Sequence, residues 1–166
     1  MVEMLIESVR VSLMTNSQVV ILKEVEGKRR LPIFVGKPEG DAITFHLNNI
    51  AVPRPLTHDL AASILKSLDA EVSHVVISDL HKQHFYALIV LCPQGDAEAE
   101  ITIDARPSDA LAIAVRMGCP IFANERVLDE AGVEPVELTK TPSKEDLGAF
   151  DDFISSLDLS DLDKDK

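Results

Sequence analysis

Residues 101–116 carry the sequence feature that most constrains how this chain folds. The β-branched residues Ile101, Thr102 and Ile103 favour a short strand. Pro107 cannot continue a β-ladder, but it fits the first turn of a helix. Apolar residues at helical spacing follow, and Gly118 ends the pattern. The stretch therefore predicts a strand, a tight turn and an amphipathic helix over 107–117.

Three charged residues, Asp104, Arg106 and Asp109, lie at this strand-to-helix corner, where folds of helices and strands often place ligands. Two interpretations have equal weight. In the structural one, Asp109 accepts N–H groups in the first helical turn and Arg106 pairs with a carboxylate. In the functional one, Asp104 and Asp109 hold a divalent cation, Mg²⁺ or Mn²⁺, while Arg106 and Arg54 bind phosphate.

A second stretch, residues 54–60, also opens a helix with Arg-Pro, a hydroxyl residue and an aspartate. It predicts a helix over 56–70 whose apolar stripe comprises Leu60, Ile64, Leu65 and Leu68. His58 is a candidate acid or base near neutral pH, with Asp59 beside it. A helix-start histidine followed by a capping aspartate is the favoured interpretation of this pair. The two Arg-Pro helix starts have paired structural roles or form two halves of one site.

The remaining pattern predicts one α+β domain, with an antiparallel or mixed sheet packed by about four to five helices. Strands are indicated at 2–13, 19–25, 31–35, 71–80, 85–91, 98–103 and 119–123, and helices at 41–49, 56–70, 107–117, 124–131 and 143–157. We expect a domain over 1–138, an amphipathic helix within 139–157 that packs on it, and an acidic disordered tail at 158–166. An apolar edge strand at 2–13 would need cover, which favours a homodimer or higher oligomer.

Composition restricts the function classes further. The net charge of −12, from 16 basic and 28 acidic residues, argues against non-specific affinity for nucleic acid. The only basic run, residues 28–30, is better interpreted as a solvated turn than as a phosphate contact. Aromatic residues make up 4% of the chain and tryptophan is absent, so we expect no stacking platform for single strands.

The pair His81 and His84 has the spacing of metal ligands, but we expect these two histidines to be exposed polar residues. Two cysteines, no apolar run of about 20 residues and no secretion signal predict a cytoplasmic protein without a membrane span.

The two helix starts also carry a resemblance. Residues 54–60 (Arg-Pro-Leu-Thr-His-Asp-Leu) and 103–110 (Ile-Asp-Ala-Arg-Pro-Ser-Asp-Ala) closely resemble the signature of the bifunctional nuclease (BFN) domain family. Residues 31–36, 39, 42–43, 120–122 and 127–132 resemble the family too, so the similarity covers about residues 1–135. The chain departs from it at Glu39-Gly40-Asp41, where an acidic residue followed by alanine is expected.

The resemblance implies hydrolysis of phosphodiester bonds in DNA and RNA, with a divalent metal as the expected cofactor. The predicted site joins family-matching positions that have suitable side chains: Arg54, His58, Asp59, Asp104, Arg106 and Asp109, with Glu39 or Asp41 as a further member and Asp104 and Asp109 as metal ligands. The alternative is a non-catalytic protein-interaction or regulatory domain whose signature residues maintain the fold. The acidic charge favours this alternative.

Overall fold

A computed structural model describes residues 1–11, 17–93 and 100–134 of the chain. These residues form seven strands and four helices and belong to one compact unit, Met1–Pro135. The elements are β1 (Val2–Val11), β2 (Gln18–Glu24), β3 (Arg30–Val35), α1 (Lys37–Leu47), α2 (Thr57–Ser67), β4 (Ala70–His81), β5 (His84–Pro93), β6 (Ile101–Ala105), α3 (Pro107–Met117), β7 (Ile121–Ala123) and α4 (Glu125–Ala131). The C-terminal helix and tail predicted at 139–166 lie outside the described residues.

The seven described strands make one mixed sheet in the order β3-β2-β1-β7-β4-β5-β6. All neighbours pair antiparallel except β4 and β7, which pair parallel. This confirms the predicted α+β class with a mixed sheet. The expectation that residues 2–13 form an edge strand is wrong, because β1 lies between β2 and β7. Among the strands that the structure describes, β3 and β6 form the edges.

Helix α3 spans Pro107–Met117, as the pattern predicts, but it is buried on more sides than an amphipathic helix and forms the centre of the hydrophobic core. Its small residues Ala110, Ala112 and Ala114 are almost fully buried, which lets α1, α2, β4 and β5 approach closely. Gly118 ends the helix in the left-handed conformation with φ 68°, where a Cβ would be unfavourable. The buried helix fixes the direction in which its N-terminal turn, and hence Arg106 and Asp109, faces.

Helix α1 differs from the prediction because it begins at Lys37 rather than near Asp41. Pro38 occupies its first turn, where a missing N–H costs nothing. Gly40 therefore lies inside the helix, where a Cβ would collide with the side-chain oxygen of Gln18. The glycine that departs from the family pattern is thus explained by the close packing of α1 on β2.

Helix α2 packs on the core with only one residue of its predicted apolar stripe, Leu65. Leu60, Ile64 and Leu68 are 57%, 50% and 72% exposed. The side that packs inward consists of Ala61, Ala62 and Leu65. Small residues occupy this side because α2 lies directly against the alanine-rich α3.

The sheet is strongly curved around α3. Residues 33–35 of β3 line one cavity together with Phe85 of β5 and Arg106. In a flat sheet five strand spacings would separate β3 from β5, or about 24 Å. Curvature therefore brings two distant strands together beside the N-terminus of α3. None of the helices that the structure describes is long and apolar enough to cross a bilayer.

Candidate active site

Arg106 and Asp109 form a two-point ion pair at the start of α3. Arg106 is the N-cap residue and Pro107 the first helical residue, which places Asp109 one turn onward. Arg106 Nε donates to Asp109 Oδ2 at 2.8 Å, and Nη2 donates to Oδ1 at 3.2 Å. The local helix start thus orients the guanidinium.

Glu39, from the first turn of α1, is the second carboxylate beside Arg106. Its Oε1 lies 3.1 Å from Arg106 Nη2. Asp109 first, and then Glu39, hold the pKa of Arg106 above its ordinary value. The side chain of Arg106 is nevertheless 67% exposed, and its Nη1 donates to no other described residue. Arg106 is therefore oriented by protein carboxylates while it keeps donors available for an anionic ligand.

His58, from the first turn of α2, completes the cluster. Its Nε2 lies 2.9 Å from Asp109 Oδ1, and its side chain is only 12% exposed. A carboxylate can only accept, so in the neutral ring Nε2 carries the proton and Nδ1 is the acceptor. Burial raises the pKa of Asp109, but hydrogen bonds from Arg106 and His58 outweigh it and leave this pKa below its ordinary value. An ionised aspartate thus fixes the tautomer of a histidine, an arrangement suited to acid–base catalysis.

These residues surround a cavity of about 250 Å³ where three helices begin. Its lining comes from the first turns of α1, α2 and α3 and the residues next to them: Pro38, Glu39, Ala42, Leu56, Thr57, His58, Arg106 and Asp109. Helix N-termini favour anions because their first backbone N–H groups lack helical partners. Three such termini and an arginine around one cavity suit a phosphate group.

Asp59 belongs to a neighbouring structural cluster. Its Oδ2 accepts from the Leu56 backbone N–H at 2.7 Å, and its Oδ1 accepts from Arg116 Nε at 2.6 Å. Arg116 is 4% exposed and also donates to the backbone carbonyls of Ala42 and Ala112. These bonds connect all three helices that form the cavity. Arg116 belongs to no motif in the sequence, although a cation two helical turns after Asp109 is a usable signal for that face.

The structure does not bring Arg54 or Asp104 into this cluster. Arg54 is exposed before α2, and Asp104 is exposed on β6 opposite Leu88. Neither lines the cavity that contains Asp109. Asp41, the alternative to Glu39, instead bonds Gln18 and Lys37, each at 2.6 Å.

The donor set does not fit the predicted metal site at Asp104 and Asp109. Both oxygens of Asp109 already accept hydrogen bonds from Arg106, and Oδ1 also contacts His58. Over the described ranges, no three side chains of the types His, Cys, Asp or Glu are grouped so that they could hold a metal ion. Metal binding therefore stays a prediction without a ligand set in this part of the chain.

The basic run at 28–30 forms a second, different cluster. Arg29 pairs with Glu24, Glu125 and Asp129 at 2.6–3.1 Å, and Arg30 pairs with Glu7 at 2.7 Å. These carboxylates neutralise both arginines and connect the β2–β3 turn to α4. Arg29 and Arg30 are thus ion-paired and only 25% and 26% exposed rather than solvated, and these pairs also argue against a phosphate contact at this run.

Comparison with known protein sequences defines the class of protein. A sequence model of the bifunctional nuclease domain matches residues 20–136. An uncharacterised protein of Mycobacterium tuberculosis is 34% identical over 165 residues, which cover 96% of this chain and 97% of that protein. The chain belongs to the bifunctional nuclease domain family, which confirms the resemblance seen in its sequence.

Plant relatives share the domain but are longer. Bifunctional nuclease 1 of Oryza sativa subsp. indica is 30% identical over 125 residues, which are 75% of this chain and 38% of the rice protein. Bifunctional nuclease 1 of Arabidopsis thaliana is 27% identical over 122 residues, which are 73% of this chain and 38% of the plant protein. The nuclease activity in these names therefore belongs to longer proteins, and this chain matches only part of each.

Proposed function

We propose that this protein hydrolyses phosphodiester bonds of DNA and RNA in the cavity between Arg106, His58 and Glu39. The observation that carries the proposal is the convergence of three helix N-termini, an exposed arginine and an Asp–His pair on one cavity. The first two features attract a phosphate, and the third supplies a group able to move a proton near neutral pH. Family membership supports the same chemistry.

Each residue has a distinct role in the proposed reaction. Arg106 binds a non-bridging phosphate oxygen through its available N–H donors, held in orientation by Asp109 and Glu39. His58 Nδ1 accepts the proton of the attacking water, and Asp109 stabilises the imidazolium that results. The water oxygen bonds to phosphorus as the bond to the leaving sugar oxygen breaks, and solvent water protonates that oxygen.

Dependence on Mg²⁺ or Mn²⁺ is kept as a separate proposal. Asp104 and Asp109 do not form a ligand set for either ion. The steps above therefore use only the protein's own side chains and water. The same cleavage assay, run with either ion or with EDTA, measures the dependence directly.

The test is cleavage of labelled single- and double-stranded DNA and RNA by purified wild-type protein and three variants. We expect His58→Ala and Asp109→Asn to lose about 10²- to 10⁴-fold in rate, the contribution typical of a general base. Asp104→Asn is the matched control, since this carboxylate is exposed outside the cavity. Circular dichroism and thermal melting establish that each variant is folded.

Three outcomes would contradict this assignment. Undiminished cleavage by folded His58→Ala and Asp109→Asn would remove the cavity from the reaction. A selective loss in Asp104→Asn would move the site to the β6 corner and restore the predicted metal ligand. Cleavage of equal strength in a mock purification from cells that lack the gene would indicate a contaminating nuclease.

A non-catalytic interaction domain is the second candidate function. The exposed stripe Leu60, Ile64 and Leu68 on α2 favours it, since an apolar helix face suits a protein partner. Absence of cleavage under every condition, with a stable fold, would make this function the better one.

Self-association stays a prediction, tested by sedimentation equilibrium of wild type and Ile64→Glu. A cytoplasmic location, to which the free thiols of Cys92 and Cys119 are suited, is tested by cell fractionation.

A further inference from the structure

A second cavity adjoins the proposed active site and shares Arg106 with it. Its volume is about 270 Å³. Besides Arg106, its lining includes Phe34 on β3, Gln83 in the β4–β5 turn, His84 and Phe85 at the start of β5, and Ser108 on α3. A ligand held at Arg106 in the first cavity can therefore extend directly into the second.

Phe34 supplies an aromatic surface in this second cavity. Its side chain is 69% exposed, whereas its neighbours Ile33 and Val35 are buried. Phe85, also in the lining, is partly buried and packs against the core. The curvature of the sheet brings these two aromatic residues from distant strands to the lining of one cavity, which the low aromatic content of the sequence did not predict. An exposed ring beside an arginine suits a planar group attached to an anion.

The β4–β5 turn adds hydrogen-bonding groups to the same cavity. Lys82 and Gln83 have φ values of 48° and 67°, as in a tight two-residue hairpin turn. His84 Nδ1 lies 3.0 Å from the Lys82 carbonyl oxygen, which can only accept, so Nδ1 donates and Nε2 is left as an acceptor in the neutral ring. The Gln83 amide offers both a donor and an acceptor. Such groups match the mixed donors and acceptors on the edge of a nucleobase.

We propose that the second cavity binds one nucleobase of the strand whose phosphate lies at Arg106, and that it makes the protein selective for single-stranded DNA or RNA. A base in a duplex is stacked and paired, and it reaches such a cavity only after costly extrusion. A base in a single strand is available for stacking on Phe34. The inference rests on the proposed function in one respect, namely that the ligand at Arg106 is a nucleic-acid phosphate.

The experiment is fluorescence anisotropy with a short labelled phosphorothioate oligothymidylate, which resists cleavage. The comparison ligands are the same strand in a duplex and an abasic strand with the same backbone. We expect wild type to bind the single strand more tightly than either comparison ligand. Phe34→Ala should weaken single-strand binding about tenfold and leave binding of the abasic strand unchanged, because stacking contributes only when a base is present.

Two variants control for general effects of the substitution. Phe34→Tyr keeps the aromatic face and should keep the affinity of wild type. Tyr86→Ala removes an exposed aromatic ring that lies outside the cavity lining, and it should also bind like wild type. The inference is overturned if Phe34→Ala binds the single strand as wild type does, or if wild type binds the duplex or the abasic strand equally well or binds no strand.

The binding result is separable from the test of hydrolysis. Base-dependent binding without cleavage would sustain the nucleobase site and contradict the proposed hydrolysis. Cleavage with no dependence of binding on the base or on Phe34 would sustain hydrolysis and overturn the nucleobase site.

Discussion

Helices α2 and α3 begin in nearly the same way but use their first turns differently. Asp59 and Asp109 occupy the same position, three residues after the N-cap. Asp59 caps the backbone N–H of Leu56 and bonds Arg116, which is 4% exposed. Asp109 bonds Arg106, which is 67% exposed, and His58 beside the cavity. An aspartate at the same helical position thus stabilises the helix packing in α2 and orients candidate site residues in α3.

The difference lies in the arginine partner rather than in the aspartate. Arg116 donates from all three of its guanidinium nitrogens, to Asp59 and to backbone carbonyls of two helices, and its side chain is only 4% exposed. Arg106 directs one edge at carboxylates and is open to solvent elsewhere. A buried pair that loses one partner leaves a charge without compensation, whereas an exposed pair contributes little to stability. Loss of Arg116 should therefore lower stability more than activity, whereas loss of Arg106 should lower activity more than stability.

The largest effect on stability is expected from Arg116→Leu. The change removes the ion-pair partner of Asp59, which is 30% exposed and keeps the Leu56 N–H, and it removes a second donor from the helix carbonyls of Ala42 and Ala112. The expected cost is about 2 kcal/mol in free energy of unfolding. Urea denaturation measures the loss. Arg106→Leu is the matched control and should cost at most about 1 kcal/mol. Equal losses in the two variants would contradict the division between a structural and a functional arginine.

A smaller effect on stability is expected for Asp59→Asn, and its size depends on pH. Burial raises the pKa of Asp59, but the Leu56 N–H and Arg116 outweigh it, so the folded-state pKa is lowered. The unfolded chain then binds more protons below about pH 4, and stability falls as pH decreases through the folded pKa. Asp59→Asn should be less stable at pH 7 and show a shallower loss of stability toward acid.

Cleavage activity separates the two aspartates in the same experiment. We expect folded Asp59→Asn to keep most of the wild-type rate, because its carboxylate serves the helix contacts. Asp109→Asn should lose activity, since Asp109 contacts both His58 and Arg106. Urea denaturation from pH 3 to 7, with cleavage measured at neutral pH, provides both results. Loss of activity in a folded Asp59→Asn variant would support the catalytic role that the sequence predicts for this residue.

Local sequence signals were sufficient for most of the fold and for half of the candidate site. Helix α3 follows from Pro107, the apolar spacing after it and Gly118, all of which act within a few residues. The same signals place Arg106 and Asp109 at one corner. Strand alternation also explains why Asp104 is not with them: Ala105 packs toward the core, so Asp104 points to the other face.

Contacts between distant parts of the chain explain what the sequence did not reveal. Asp59 and Arg116 are 57 positions apart, and their pairing depends on how α2 lies on α3. The packing of α2 through Ala61 and Ala62 rather than Leu60 depends on the closely packed alanines of α3. The second cavity, beside Phe34 and Phe85, requires a curved sheet that brings β3 close to β5. None of these features has a local pattern.

The smallest effect is expected from Arg54→Ala. Arg54 is exposed before α2 and lines neither cavity beside Arg106, so the free energy of unfolding should change by less than about 0.5 kcal/mol. Cleavage should likewise remain near the wild-type rate, whereas Arg106→Ala should lose most of it, because only Arg106 borders the cavity with His58. Steady-state cleavage of single-stranded DNA by both variants measures the difference. If Arg54→Ala instead slows cleavage as much as Arg106→Ala, the substrate reaches both helix starts. The two Arg-Pro segments would then be halves of one phosphate-binding site, despite the different use of their aspartates.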